Sequence, residues 1–150
     1  MQSPMQQPYV QDYALTLNRL LEHAAKWHPQ SGLVTATDSG TILRCSYEQL
    51  IVRAHAFSAS LRQLGVKLGD RVATLAWNTQ GHVEAWYGIA GMGAVVHTLN
   101  PRLSPETLAS MVRQAECRLL VVSASLAAMG VELSRLAPSI SRMIVTDDAV

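Results

Sequence analysis

Lysine is nearly missing from this sequence: Lys26 and Lys67 stand against ten arginines. Lys26 precedes an expected helix stop and Lys67 lies in a polar connection. With no GK[ST] behind a glycine-rich loop, a Walker-type phosphate site is excluded. Charge of either sign is thin, 15% of residues with a net charge of +1, and it is spread along the chain rather than bunched. Such a distribution gives nucleic acid and anionic membrane surfaces nothing to grip. Cysteine is equally scarce. Cys45 and Cys117 stand far apart, without a CxxC or a Cys/His cluster, so neither a disulfide framework nor a structural zinc site is expected and reduced, cytoplasmic thiols are the default. The most hydrophobic stretch, Ala85 to Leu99, is broken by Gly88, Gly91, Gly93 and His97 and falls short of the roughly 20 apolar residues a transmembrane segment needs. The opening Met1–Tyr13 has no basic start and no apolar run, which argues against a secretory signal. No G-x-S-x-G elbow occurs, so a hydrolase triad has no nucleophile, and the five histidines show no zinc spacing.

What is present is a chain of 150 residues, 49% apolar, enough for one domain with a buried core. After a polar arm over residues 1–12, Leu17, Leu20, Leu21 and Ala24 follow the spacing of one helical face, and the helix should stop by His28-Pro29. Leu33 to Thr37 and Ile42 to Cys45 read as a β-hairpin around the turn-rich Asp38-Ser39-Gly40. Ser46 with Gln49 three positions on forms a capping-box pattern. It opens a long helix with Tyr47, Leu50, Ile51, Ala54, Phe57, Leu61 and Leu64 as its buried stripe and Gly65 as its stop.

From there short β-rich runs alternate with helical ones. Strands are expected over Arg71 to Trp77, Ala94 to Leu99, Leu119 to Val122 and Met143 to Thr146. Helices are expected over Gln80 to Met92, with Val83, Trp86, Tyr87 and Ala90 on one side, from Ser104-Pro105 to about Glu116, and over Ala124 to Ala137. Apolar strands joined by helical crossovers imply an α/β fold: a mostly parallel sheet with helices on both faces, preceded by a helix and a hairpin. Because the alternation would continue past Asp147-Asp148, residues 1–150 are expected to be the start of a longer polypeptide, part of one larger domain and without a second domain of their own.

In such a sheet, ligands collect outside the carboxyl ends of the strands. Those ends carry Trp77-Asn78-Thr79, Asn100-Pro101-Arg102, Ser123-Ala124-Ser125 and Thr146-Asp147-Asp148. Pro101 holds Asn100 out of helical geometry and ends its strand. Two readings of this turn stand side by side. Asn100 and Arg102 position an anionic ligand or shape the wall beside it; alternatively, Asn100 satisfies a turn and Arg102 pairs with a surface carboxylate. His97, inside an apolar strand, needs a hydrogen-bond partner whether its role is structural or catalytic. The G-x-x-G-x-G over Gly88 to Gly93 closes a helix, so close packing and a C-terminal cap explain it better than a dinucleotide loop.

The run Gly65 to Ala73 (GVKLGDRVA), followed by Trp77-Asn78, and the run Gly93 to Leu103 (GAVVHTLNPRL) resemble the adenylate-forming acyl-CoA synthetases, or AMP-dependent synthetases and ligases, in their medium- and long-chain fatty acid branch. Leu20 to Pro29 and Ser46 to Leu50 fit as well, with Gln49 where the family often has glutamate and Gln114 where it often has histidine. The resemblance implies a fatty acid to CoA ligase that uses ATP, Mg2+ and coenzyme A, and members that form homodimers through the N-terminal region. It implies no catalytic residue here, because the phosphate loop, adenine platform, ribose aspartate and catalytic lysine of the family have no counterpart in this chain. Trp77, Asn78, Asn100 and Arg102 are then pocket-edge candidates for substrate binding. The rest of the polypeptide would be the segment's first partner, and the segment alone would be inactive. The competing reading is a free-standing, flavodoxin-like α/β module for binding or dimerisation without catalysis.

Overall fold

The computed structural model describes residues 13–37 and 40–146. The expected arm over residues 1–12, the turn at 38–39 and the acidic pair at 147–148 lie outside the described residues. Helix α1 (Leu17–Trp27) ends at His28 as Pro29 requires, but only Leu21 of its expected stripe is deeply buried and Leu20 is 49% exposed. Strands β1 (Gly32–Ala36) and β2 (Ile42–Ser46) pair antiparallel, with Gly40 at φ +82° in the turn, a conformation glycine adopts without strain. Helix α2 (Tyr47–Gln63) opens on the expected capping box: Gln49 N–H donates to Ser46 Oγ at 3.2 Å, and Ser46 N–H donates back to Gln49 Oε1 at 3.0 Å.

The second part of the chain is a four-stranded, all-parallel sheet in the order β4-β3-β5-β6, formed by β3 (Arg71–Leu75), β4 (Val95–Leu99), β5 (Leu119–Ser123) and β6 (Arg142–Thr146). The intervening helices are α3 (Gln80–Gly91), α4 (Pro105–Gln114) and α5 (Ala127–Leu136). Strand β3 ends at Leu75, earlier than the expected Trp77, because the turn into α3 begins there. The expected helix from Ala124 begins as a 3-10 turn, Ala124–Leu126, before α5 proper.

Alternation along the strands builds two cores. Ala73, Leu75, Leu120 and Val122 face α4 and α5, where they meet Leu108, Val112 and Leu133. Val72, Leu119 and Val121 face the opposite layer, where they meet Leu61 of α2 and Ala85 and Ile89 of α3. Strand β5 is buried along its whole length, as a central strand covered on both faces must be. The third core joins Leu21, Cys45, Leu50 and Ala54 and fastens α1 and the hairpin to α2.

One expected face is displaced. In α3 the deeply buried residues are Glu84, Ala85, Gly88 and Ile89, while Val83, Trp86, Tyr87 and Ala90 are half-buried. The helix is pressed between the sheet on one side and α2 on the other. Its closest approach falls at Gly88, where a side chain would meet Ala54 O at 3.0 Å.

Candidate functional site at the carboxyl ends of the strands

The chain steps from β3 outward to β4, then crosses back to β5 on the other side of β3 and continues to β6. This puts the reversal of strand order between β3 and β5. The crevice above that pair, outside the carboxyl ends, is where an open α/β sheet receives ligands. The β3 side of it is Trp77-Asn78-Thr79, with Trp77 40% exposed and Asn78 exposed, and the β5 side begins at Ser123.

Ser123 is fully buried and its hydroxyl has no hydrogen-bond partner among the described residues. It shares its sheet face with Val121, toward the α3 layer. An unpartnered buried hydroxyl costs roughly 1–3 kcal/mol relative to a satisfied one, so its place at the switch point is informative. Next to it in the sheet, Thr146 Oγ1 donates to Val122 O at 3.3 Å and closes the β5–β6 side.

The first turn of α3 is held from several directions. Gln80 N–H donates to Thr35 Oγ1 of β1 at 3.1 Å, and Thr35 is buried. The Gln80 side chain donates to Glu84 Oε1 at 2.7 Å, and Arg53 Nε of α2 donates to the same oxygen. Thr74 Oγ1 and His82 Nε2 lie 3.0 Å apart in a hydrogen bond. Glu84 is only 7% exposed, and its hydrogen bond and charge push the Arg53 guanidinium pKa above its usual value. Burial, and then the Glu84 charge, push the nearby Cys45 thiol up. Sequence reasoning missed this network. Its one available signal was a lone glutamate at the head of an apolar helical run, a charge that must find a partner if the helix is to be buried.

The asparagine-proline-arginine turn lies elsewhere. Leu75 pairs with Leu99, so Asn100 follows β4 on the side of β3 away from the β3–β5 crevice. Asn100 Oδ1 accepts Arg102 N–H at 3.0 Å, a side-chain brace across the turn, and Leu103 N–H donates to Asn100 O at 3.1 Å. Arg102 is exposed and in no ion pair among the described residues. Trp77 and Asn78 therefore border the crevice, whereas Asn100 and Arg102 stand one strand away on the sheet's edge. His97 Nε2, also on β4, is buried without a partner among the described residues.

A cleft of about 820 Å³ lies at the opposite end of the sheet and is ringed by Arg71, Arg113, Arg118 and Arg142. Three of these arginines serve helix C-termini. Arg71 Nε donates to Ala115 O, Arg113 Nη1 to Leu136 O at 2.9 Å and Arg142 Nη1 to Leu64 O at 2.9 Å. Each helix end carries about half a negative charge. With Asp70 and Glu116 also on the rim, the four guanidiniums are offset to within about half a charge. Three of the four arginines thus act as helix-end braces. Among the described residues no group of three or more His, Cys, Asp or Glu side chains is placed to hold a metal ion. Nor is any described helix long and apolar enough to cross a membrane.

A family model described as AMP-binding enzyme matches residues 21–150. The long-chain-fatty-acid–CoA ligase of Thermus thermophilus is 41% identical over 115 residues, which cover 77% of this chain and 21% of that protein. The 3-methylmercaptopropionyl-CoA ligase of Ruegeria lacuscaerulensis is 37% identical over 111 residues, covering 74% and 21%. A solved fatty acyl CoA synthetase of Mycobacterium tuberculosis shares the fold, with a TM-score of 0.75 at 24% identity over 87% of this chain and 26% of its own. The chain spans about a fifth of the length of the curated relatives it matches.

Proposed function

This chain belongs to the AMP-binding enzyme family, and from that premise we propose that it is the N-terminal part of the large domain of a cytoplasmic fatty acid to CoA ligase. In the reaction, a fatty carboxylate attacks the α-phosphorus of ATP and expels pyrophosphate, and the thiol of coenzyme A then displaces AMP from the acyl adenylate. The observation that carries the reading is the 41% identity to a long-chain ligase across most of the chain, on a fold whose strand order reverses between β3 and β5.

Within that ligase, this chain's residues build a wall. Trp77 and Asn78 border the crevice from β3, and Ser123, buried at the end of the neighbouring β5, lies beneath it. Asn100 and Arg102 form the outer rim. Phosphate charge developing at a reaction centre needs oriented cations and donors. Of this chain's cations only Arg102 stands at a strand's carboxyl end and neither lysine does, so most of those groups come from the remaining polypeptide. The segment alone is therefore inactive, and its first partner is the rest of its own chain. Leu20 and Trp27, exposed seven residues apart on the first helix, and Tyr13, exposed just before it, support homodimer formation through this end of the molecule.

The test is fatty-acid-dependent exchange of labelled pyrophosphate into ATP by the complete gene product, with Mg2+ supplied. Exchange is expected with medium- or long-chain acids. A product of 150 residues that unfolds cooperatively and catalyses no exchange with any chain length would overturn the ligase reading in favour of a flavodoxin-like binding module.

A further inference from the structure

We infer that the β1–β2 hairpin is a positioning element for the crevice, and that Thr35, with the Arg53–Glu84–Gln80 network, sets the placement of the Trp77-Asn78 turn. The inference rests on the reading of Trp77 and Asn78 as crevice wall.

Both residues are exposed, so burial of their own side chains does little to fix them. The chain passes from them into the first turn of α3, and that turn is tied to three other elements. Thr35 Oγ1 of β1 takes the first helical N–H at 3.1 Å, a capping interaction supplied from 45 positions earlier in the sequence. Side-chain capping of a helix start is ordinarily done by the residue just before it, on the second or third helical N–H, and Thr79 makes no such bond here. Supplied by the hairpin, it makes the start of α3 depend on where the hairpin sits.

The second tie is Glu84. Its oxygen Oε1 receives both Arg53 Nε from α2 and the Gln80 side chain at 2.7 Å. A buried carboxylate stripped of one of these donors has no solvent to replace it, so the three groups hold one arrangement. The third is the Thr74–His82 contact at 3.0 Å, which ties the turn to β3 itself. Trp77 to Thr79 thus spans two anchored ends, Leu75 in the sheet and Gln80 at the network. The hairpin is fastened to α2 through Cys45, Leu50 and Ala54, so α2 carries both the Arg53 tie and the platform for Thr35.

The test uses the complete gene product with Thr35→Val, which keeps the shape and removes the acceptor, Thr35→Ser, which restores it, and Glu84→Gln. Amide hydrogen exchange is read over residues 77–83 and, separately, over β5. Thr35→Val is expected to speed exchange over 77–83 about fivefold, the loss of one net hydrogen bond, with β5 unchanged and Thr35→Ser returning the wild-type rate. Glu84→Gln should speed the same residues. If the product exchanges pyrophosphate, Thr35→Val should raise KM and leave kcat near the wild-type value. Unaltered exchange over 77–83, or equal acceleration in β5, would overturn the proposal. Localised acceleration in a product without ligase activity upholds the positioning role while the ligase reading fails.

Discussion

Ser123 shows how one atom can carry a functional signal. A serine hydroxyl enclosed by protein and left without a partner among the described residues is a cost the fold bears for some return. Substitution by alanine removes the unpaired group and takes no hydrogen bond with it. Ser123→Ala is therefore expected to leave stability to urea unchanged or to raise it by up to about 1 kcal/mol. A loss of more than that would mean the hydroxyl has a partner within the chain, and Ser123 would cease to mark the crevice. Nothing in the sequence distinguished Ser123 from its serine neighbours beyond its place at a strand end, because the deciding property is the absence of a partner.

Helix α3 makes the corresponding case for whole elements. Its existence and limits were legible from apolar spacing and from the glycine stop at Gly93, which has φ +84°. Its orientation was not, because α2 presses on it as hard as the sheet does and turns Glu84 and Gly88 inward in place of Trp86 and Tyr87. Periodicity reports that a helix has one apolar face, but not that two neighbours compete for the space around it. Gly88 is where the competition is settled. Ser58 Oγ donates to Gly88 O at 2.6 Å, and a Cβ at Gly88 would meet Phe57 Cδ1 at 2.9 Å and Ala54 O at 3.0 Å. Gly88→Ala is accordingly expected to cost about 1–3 kcal/mol in urea unfolding, although alanine is the better helix former. A stabilised variant would show that the two helices can separate without loss. Helix α4 behaved as its sequence indicated: Ser104 Oγ accepts Thr107 N–H at 3.3 Å, with Pro105 at the first helical position.

At the scale of the whole molecule, the alternation of strands and helices made a parallel sheet legible, but strand order and the three-way tie at α3 depend on contacts between distant residues. The same holds for the arginines at the amino ends of the strands. Arg71 joins β3 to the end of α4, Arg113 joins α4 to the end of α5, and Arg142 joins β6 to the end of α2. Helices from both faces of the sheet are thereby braced at one end, which leaves the other end, with its exposed turns, as the side where a ligand and further polypeptide can approach. If bracing is their role, the four arginines should not be equivalent. Alanine at Arg71, Arg113 or Arg142 removes a bond to a helix-end carbonyl and is expected to cost about 1 kcal/mol each. Arg118 makes no side-chain bond of that kind among the described residues, so Arg118→Ala should stay within about 0.5 kcal/mol of wild type. Urea unfolding of the four variants separates this pattern from an anion site. In an anion site the four substitutions would instead relieve mutual repulsion, and each would leave stability unchanged or raise it.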